Sequence, residues 1–240
     1  IKSMNTGCVI IPCYNEAANI ARVIEEVSQF AENLEILVIN DASMDQTSLA
    51  ARKTQKATVI DLPANLGVGG AVQTGLKYAK AMGYSCAIKL DGDGQHPSEA
   101  IQSLLKPLID LEADIAVGSR FLSANSGFKS SFLRRVGIKF FEKLGIILTG
   151  QRFTDATSGF RAYNRKAIEF MAENYPTFDY PEPEELVLAS LHGLRLKEVP
   201  TTMRDRWSGE STISSTFSVY FMLKVTLAMI FIYFRTLKPR

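Results

Sequence analysis

A mainly parallel β-sheet with helices on both faces is predicted for most of this 240-residue chain. Three observations predict it. Over residues 8–119, short and nearly continuous apolar runs alternate with longer segments whose apolar residues recur at helical spacing. Strands apolar along their whole length must be buried on both faces, the condition of parallel sheets joined by crossover helices. The polar residues collect just after the apolar runs, on the carboxyl edge where open α/β sheets form their ligand crevice.

The elements follow in order. "GCVIIPCYNE" is an apolar run stopped by proline, a buried strand feeding a loop. "EAANIARVIEEVSQFAE" has Ile20, Val23, Ile24, Val27 and Phe30 at helical spacing, with Asn15 or Glu16 near its start. "LEILVIND" is the second strand, "DQTSLAARKTQ" the second helix and "ATVIDLP" the third strand. "GVGGAVQTGLKYAKAMG" is a helix entered through glycines, and "CAIKLDGD" is the fourth strand. "PSEAIQSLLKPLIDLEA" is a helix and "DIAVGSR" a strand. Beyond Phe121 the character changes: "SANSGFKSS" is a loop, and "FLRRVGIKFFEKLGIIL" a helix with Arg134 and Arg135 near its start. "DATSGFRAYNRKAIEFM" is a loop entering a helix, and "FDYPEPEELVLASLHGL" sets Asp179, Glu182, Glu184 and Glu185 ahead of another. "LKEVPTTMRDRWSGES" is a strand followed by a basic loop. "FSVYFMLKVTLAMIFIYF" is a hydrophobic helical segment flanked by Arg235, Lys238 and Arg240. The expected organisation is one α/β domain over 1–212 and a membrane-associating or partner-binding helix over 213–240.

Composition narrows the function. With 46% hydrophobic and 22% charged residues the chain is globular, not disordered. Its 27 basic and 25 acidic residues nearly balance, and aromatic residues are not interleaved with basic ones, so nucleic-acid binding has little support. From Arg195 onward there are eight basic and three acidic side chains, which favours anionic partners such as phosphates or a membrane surface. Cys8, Cys13 and Cys86 lack metal-site spacing and only His96 and His192 accompany them, so they are expected to be buried, reduced thiols of a cytosolic protein. No cleaved leader is expected, because the first fifteen residues move directly into a strand.

The chemistry concentrates in "IKLDGDGQHP". Asp91 and Asp93 flank Gly92 at a strand end, and two carboxylates so close need a cation to offset them. Hard oxygens suit Mg²⁺ or Mn²⁺, which keep room for phosphate oxygens. The bland alternative is a glycine-rich turn whose aspartates cap backbone amides. In "NDASMDQT", Asp41 can accept hydrogen bonds from a base or ribose, whereas Asp45 or Ser43 suits a helix cap. "NLGVGGAVQTG" departs from G-x-G-x-x-G, since Val72 stands where the third glycine belongs, and there is no G-x-x-x-x-G-K-[ST] loop. A nicotinamide dehydrogenase and a P-loop enzyme are therefore weak readings.

"VIIPCYNE", "VINDASMDQT", "NLGVGGAVQTGL", "KLDGDGQHP", "VGSRF" and "DATSGFRAYNR", in that order, resemble family 2 of the nucleotide-sugar glycosyltransferases, most closely its dolichyl- or polyprenyl-phosphate sugar transferase branch. The likeness spans roughly residues 8–211. It implies a GT-A fold, Rossmann-like, with Mg²⁺ or Mn²⁺ as cofactor and inversion at the anomeric carbon. By position, Pro12, Tyr14, Glu16 and Asp41 would line the nucleoside pocket of a UDP- or GDP-sugar. Asp91, Asp93 and Gln95 would meet the metal and the donor diphosphate. Arg120 and Arg206 would meet phosphate groups, Arg206 as a catalytic residue beside Asp93. Arg134, Arg135, Glu182 and Ser211 would lie on the acceptor side, with Glu184 as general base and Glu182 and Glu185 as its rivals for that place. The chain departs from the branch where Ser211 is followed by Thr212 instead of lysine, and where the acidic segment reads "YPEPEELVLAS".

Two acceptors stay open. A sugar hydroxyl must lose its proton during attack and needs a base such as Glu184. A polyprenyl phosphate is already anionic and needs cations to orient it, such as Arg134, Arg135 and Arg206. The basic, hydrophobic end tilts the reading towards polyprenyl phosphate over a lipid-linked or cell-wall glycan. A non-catalytic sugar-nucleotide-binding subunit is the remaining alternative. Residues 217–234 give 18 residues, about 27 Å as helix, just short of a hydrocarbon core, with Lys224 near the middle. They are expected to lie in the interface or pack on a partner, with a tilted single span as the alternative. The enzyme is thus placed at the cytoplasmic face of the membrane, with a homo-oligomer or a membrane-protein partner as a further possibility.

Overall fold

The computed structural model describes residues 7–122, 132–177, 179, 181–204, 207 and 217–237. Its sheet has seven strands: β1 (Gly7–Cys13), β2 (Glu35–Asn40), β3 (Ala57–Asp61), β4 (Cys86–Lys89), β5 (Ile115–Ser119), β6 (Arg161–Asn164) and β7 (Leu196–Pro200). They lie in the order β3-β2-β1-β4-β6-β5-β7. β6 is antiparallel to both neighbours, and every other pairing is parallel. The other six strands therefore all point one way.

The helices are α1 (Ile20–Phe30), α2 (Thr47–Lys53), α3 (Gly67–Ala81), α4 (Ile101–Ile109), α5 (Phe132–Thr149), α6 (Arg165–Asn174), α7 (Glu182–Leu191) and α8 (Phe217–Leu237). Strand residues alternate between two cores. Val9, Ile11, Val38 and Ile88 pack with Ile20, Val23, Ile24 and Val27 of α1 and with Ile101, Leu104 and Leu108 of α4. Cys8, Ile10, Leu37 and Ala87 pack on the other face with α3, α6 and α7. Val225 and Met229 of α8 join that second core beside Phe141 of α5. Gly75 lets α3 close on β1, because a Cβ there would lie 2.4 Å from Ile10 Cγ2.

The alternation of strand and helix expected through β5 is present, and one expectation is corrected. "RAYN", read as part of a loop, is β6, the antiparallel strand between β4 and β5. Four residues opening on an arginine carry no usable periodicity, and burial of Arg161 depends on an acidic partner in a later helix. The three cysteines are free and buried as expected, and burial raises each thiol's pKa, that of Cys86 to about 11.

Candidate active site

Parallel β1, β2 and β4 deliver three polar loops to one edge, and hydrogen bonds join the first two. Asn15, at φ 56°, donates its N–H to Ser43 Oγ at 2.9 Å and accepts from Met44 N at 2.9 Å through its side chain. Asp45 accepts from Ala17 N at 3.0 Å and from Thr47 N at 2.9 Å, but the N-cap of α2 is Gln46, one residue on from Asp45. Glu16 N donates to Thr47 Oγ1 at 2.8 Å, and Glu16 Oε2 accepts from Asn19 at 2.7 Å. Pro12 is buried at the end of β1 and Tyr14 stands exposed beside it. Asp41 is buried, donates its N–H to Cys13 O at 2.8 Å and accepts from Leu66 N at 2.7 Å, at the start of α3. Burial raises its pKa, and the neighbouring charge of Asp179 adds to the rise.

The third loop closes on the first. A Cβ on Gly92 would lie 2.7 Å from Cys13 Sγ, so only glycine lets the Asp91–Asp93 turn reach β1. The Cys13 thiol records the charge gathered here: burial raises its pKa first, followed by Glu16, Asp91, Asp93 and Asp45. Asp93 is buried and accepts from Gln95 N at 3.0 Å. Asp91 keeps 37% of its side chain exposed. His96, which the sequence reading weighed only as a zinc ligand, is buried and stacked on Phe160 at 5.1 Å. Its Nδ1 accepts the Asp91 N–H at 3.1 Å, so a neutral ring carries its proton on Nε2, 3.7 Å from Asp91 Oδ2. His96 thus anchors the backbone of Asp91. Gln95 faces the segment after β7: its amide donates to Arg204 O at 3.4 Å, and Arg204 N donates to Gln95 O at 3.0 Å. Trp207 covers Gly94, whose φ is +78° and whose Cβ would lie 2.4 Å from the indole, while Arg22 stacks 3.9 Å above that ring.

The loop leading into β6 arrives on the same edge because β6 runs backwards. Gly159 sits against Asp91, and a Cβ there would be 3.0 Å from Asp91 Oδ2. Arg120, expected to face phosphate, is buried with its fork on Asp155, both bonds 2.6 Å, and a third bond to Thr157 at 2.8 Å. Glu198 of β7 fixes the same loop by accepting from Thr154 N at 2.9 Å and Asp155 N at 2.8 Å.

The three glutamates that open α7 have different surroundings. Glu182 accepts from the fully buried Lys89 of β4 at 2.6 Å. The buried Glu185 lies 2.9 Å from the buried Arg161 and accepts from the part-buried Tyr175 at 2.9 Å. Glu184 is only 2% exposed, and its Oε1 has no hydrogen-bond partner among the described residues. Burial pushes its pKa up to about 7; Lys224 opposes the rise and Glu182 adds to it.

That titration is measurable. Glu184 holds its proton more tightly in the folded chain, so its contribution to stability is greatest below its ordinary value of 4.5 and disappears as pH rises through about 7. Urea unfolding at pH 5 and pH 8 should show Glu184→Gln overtaking the wild type at the higher pH, by at most roughly 3 kcal/mol. An unchanged gap between the two proteins would mean that Glu184 ionises normally.

α8 turns two different faces outward and inward. Leu223, Leu227, Phe231 and Phe234, spaced to share one side, are 61–77% exposed. Lys224, one heptad before Phe231 and so at the edge of that stripe, turns its Nζ to 3.5 Å from Asp179. Among the described residues no helix is long and apolar enough to cross a membrane. Arg206 and Ser211 lie outside the described residues, and only the backbone of α5 is described at Arg134 and Arg135.

Comparison with known proteins decides the family. The model for Glycosyl transferase family 2 matches residues 8–171. This chain belongs to glycosyltransferase family 2. A polyprenol monophosphomannose synthase of Mycolicibacterium smegmatis is 30% identical over 215 residues, covering 87% of this chain and 81% of that protein. A UDP-N-acetylglucosamine–dolichyl-phosphate N-acetylglucosaminyltransferase of Methanococcus voltae is 29% identical over 209 residues, covering 80% and 83%. In structure the chain is similar to glucosyl-3-phosphoglycerate synthase of Mycobacterium tuberculosis, solved with Mn²⁺, UDP-glucose and phosphoglyceric acid, at TM-score 0.70 and 18% identity, over 98% of this chain and 81% of that one. The glycosyltransferase has the GT-A fold, and its relatives stand in the polyprenyl-phosphate branch that its motifs resemble. His96, Lys89, Arg161 and Asp155 were missed as parts of the site. Lys89 showed as a lone charge in an apolar strand, and His96, Asp155 and Arg161 stood inside the quoted motifs with nothing in the sequence to give them these partners.

Proposed function

We propose that this glycosyltransferase moves a sugar from a UDP- or GDP-sugar to the phosphate of a polyprenyl phosphate, with inversion, at the cytoplasmic face of the membrane. The observation that carries the acceptor is the likeness to a polyprenol monophosphomannose synthase and a dolichyl-phosphate transferase over at least 80% of this chain. Asp91 and Asp93 supply two hard oxygens amid excess negative charge, and that donor set fits Mg²⁺ or Mn²⁺. Among the described residues no three His, Cys, Asp or Glu side chains form a complete metal cage, so phosphate oxygens and water would fill the remaining positions. When bound, the metal neutralises charge on the departing diphosphate. Asp91 and Asp93 would hold it, with His96 and Gly159 setting where Asp91 points. Pro12, Tyr14, Glu16 and Asp41 share the edge on which the nucleoside would lie.

During transfer an acceptor phosphate oxygen forms its bond to the anomeric carbon as the bond from that carbon to the diphosphate oxygen breaks. The acceptor is ionised beforehand, so no protein base is needed. A second reading, transfer to a hydroxyl of a lipid-linked or cell-wall glycan, is favoured by Glu184 alone, since a carboxyl near pH 7 suits a general base.

Purified full chain is given UDP-glucose, UDP-N-acetylglucosamine or GDP-mannose, with polyprenyl phosphate or polyprenol, with and without Mn²⁺. The proposal expects a glycosyl phospholipid from one donor, with metal only. Transfer to hydroxyl acceptors and none to the lipid phosphate would sink it in favour of the second reading.

A further inference from the structure

Between Phe217 and Phe234, Lys224 is the only Asp, Glu, Lys or Arg. A helix lying on a watery surface would turn such a charge outward and its leucines and phenylalanines inward. α8 leaves a hydrocarbon stripe outward, and Lys224 at the edge of that stripe turns its ammonium to the start of α7.

The contacts there leave Lys224 unexplained as a structural residue. Its partner Asp179 is 60% exposed and 3.5 Å away, a loose pair of the kind that adds little to stability. The Lys224 side chain is only 30% exposed, so holding it there gives up both hydration and side-chain freedom. The other nearby group, Glu184, is buried with an oxygen that no described residue satisfies. The remaining α7 carboxylates already have buried cations of their own, Lys89 for Glu182 and Arg161 for Glu185. Lys89 stands two residues before Asp91, so its pair with Glu182 sets the start of α7 beside the acidic edge.

We infer that Lys224 binds the phosphate head of the lipid acceptor, whose hydrocarbon chain runs against the outer stripe of α8. One helix then matches both halves of the ligand: cation to anion at the edge of the stripe, hydrocarbon to hydrocarbon along it. A Glu184 that keeps its proton presents no negative charge to the arriving phosphate and can donate a hydrogen bond to it. The inference rests on the proposed acceptor and names the residue that recognises it.

The test uses full-length wild type, Lys224→Met, Lys224→Arg and Asp179→Asn, assayed with polyprenyl phosphate in detergent micelles, alongside thermal unfolding of each. Lys224→Met should raise the acceptor KM about 10- to 100-fold, as expected for a lost charge-assisted bond, and leave the donor KM within twofold. Lys224→Arg should recover most of the acceptor affinity, and Asp179→Asn should not raise the acceptor KM. If Asp179→Asn reproduces Lys224→Met, or donor and acceptor KM rise together with a lower Tm, Lys224 is a structural partner and the inference is wrong. If Lys224→Met unfolds, Lys224→Arg and Asp179→Asn still decide between the two. A wild type that transfers nothing to polyprenyl phosphate overturns the acceptor itself.

Discussion

Asp93→Asn should melt within a few degrees of the wild type and transfer sugar about 10²- to 10³-fold more slowly. The two effects separate because of what Asp93 does in the fold. It is 5% exposed, and its Oδ1 accepts the Gln95 N–H at 3.0 Å, a bond that an asparagine oxygen keeps. Removing its charge also relieves repulsion among Asp91, Glu16 and Asp45, which all act on the same buried thiol. Folding therefore loses little. Binding loses one of two anionic anchors for a divalent cation, an effect of several kcal/mol in transition-state charge stabilisation, with each 1.36 kcal/mol worth tenfold in rate. Thermal unfolding with and without Mn²⁺ and nucleoside diphosphate checks the binding half. A diphosphate at about 100 times its dissociation constant should stabilise the wild type by roughly 2.7 kcal/mol, and Asp93→Asn should lose that shift. Metal-dependent turnover surviving in Asp93→Asn would place the diphosphate elsewhere.

The largest loss of stability is expected from Arg161→Met. Arg161 is fully buried, lies 2.9 Å from Glu185 and donates to the backbone carbonyls of Ser158 at 2.9 Å, Ala156 at 3.2 Å and Glu182 at 2.7 Å. Methionine fills much of the volume and answers none of those groups, leaving Glu185 charged in an interior with Tyr175 donating to it. Breaking a buried pair on one side costs about 3–5 kcal/mol, which for a chain of this size lowers Tm on the order of 10 °C. Because the same guanidinium holds the loop that carries Gly159 to Asp91, activity should fall by more than the fraction unfolded. Denaturant titration of Arg161→Met beside Arg161→Met/Glu185→Leu is the check. The double variant should regain most of the loss, since two apolar residues leave no stranded charge; a loss that persists would assign the cost to the carbonyls instead.

Both predictions concern groups that the sequence revealed unequally. Asp91 and Asp93 were legible because the information is local: two carboxylates and a glycine after an apolar run, on an edge shared with two more polar loops. The alternation of apolar runs and amphipathic segments likewise located β1 to β5 and the helices between them, since burial on both faces leaves its mark residue by residue. Lys89 and Arg161 were not legible in the same way. Each is buried only because α7 brings Glu182 and Glu185 from elsewhere in the sequence, and no window of ten residues holds both partners. β6 was hidden for the same reason. His96 was visible as a residue, and its task was not, because accepting the Asp91 N–H depends on a turn that composition does not specify.

The reversed strand has a consequence for how the protein is made. β1 to β4 can pair among themselves as soon as residue 89 has emerged. β5 cannot join them, because its neighbours in the sheet are β6 and β7, both still untranslated when residue 119 leaves the ribosome. At about 5–20 residues per second, the interval to residue 161 lasts roughly 2–8 s. Throughout it the nascent chain carries an open β4 edge beside an apolar, unpaired β5, the combination that invites wrong pairing. β6 closes that edge, pairs with β5 and carries Gly159 against Asp91. The acidic loop is thus synthesised early and braced late, only after β6 and the α7 carboxylates that pair with Lys89 and Arg161 have followed it.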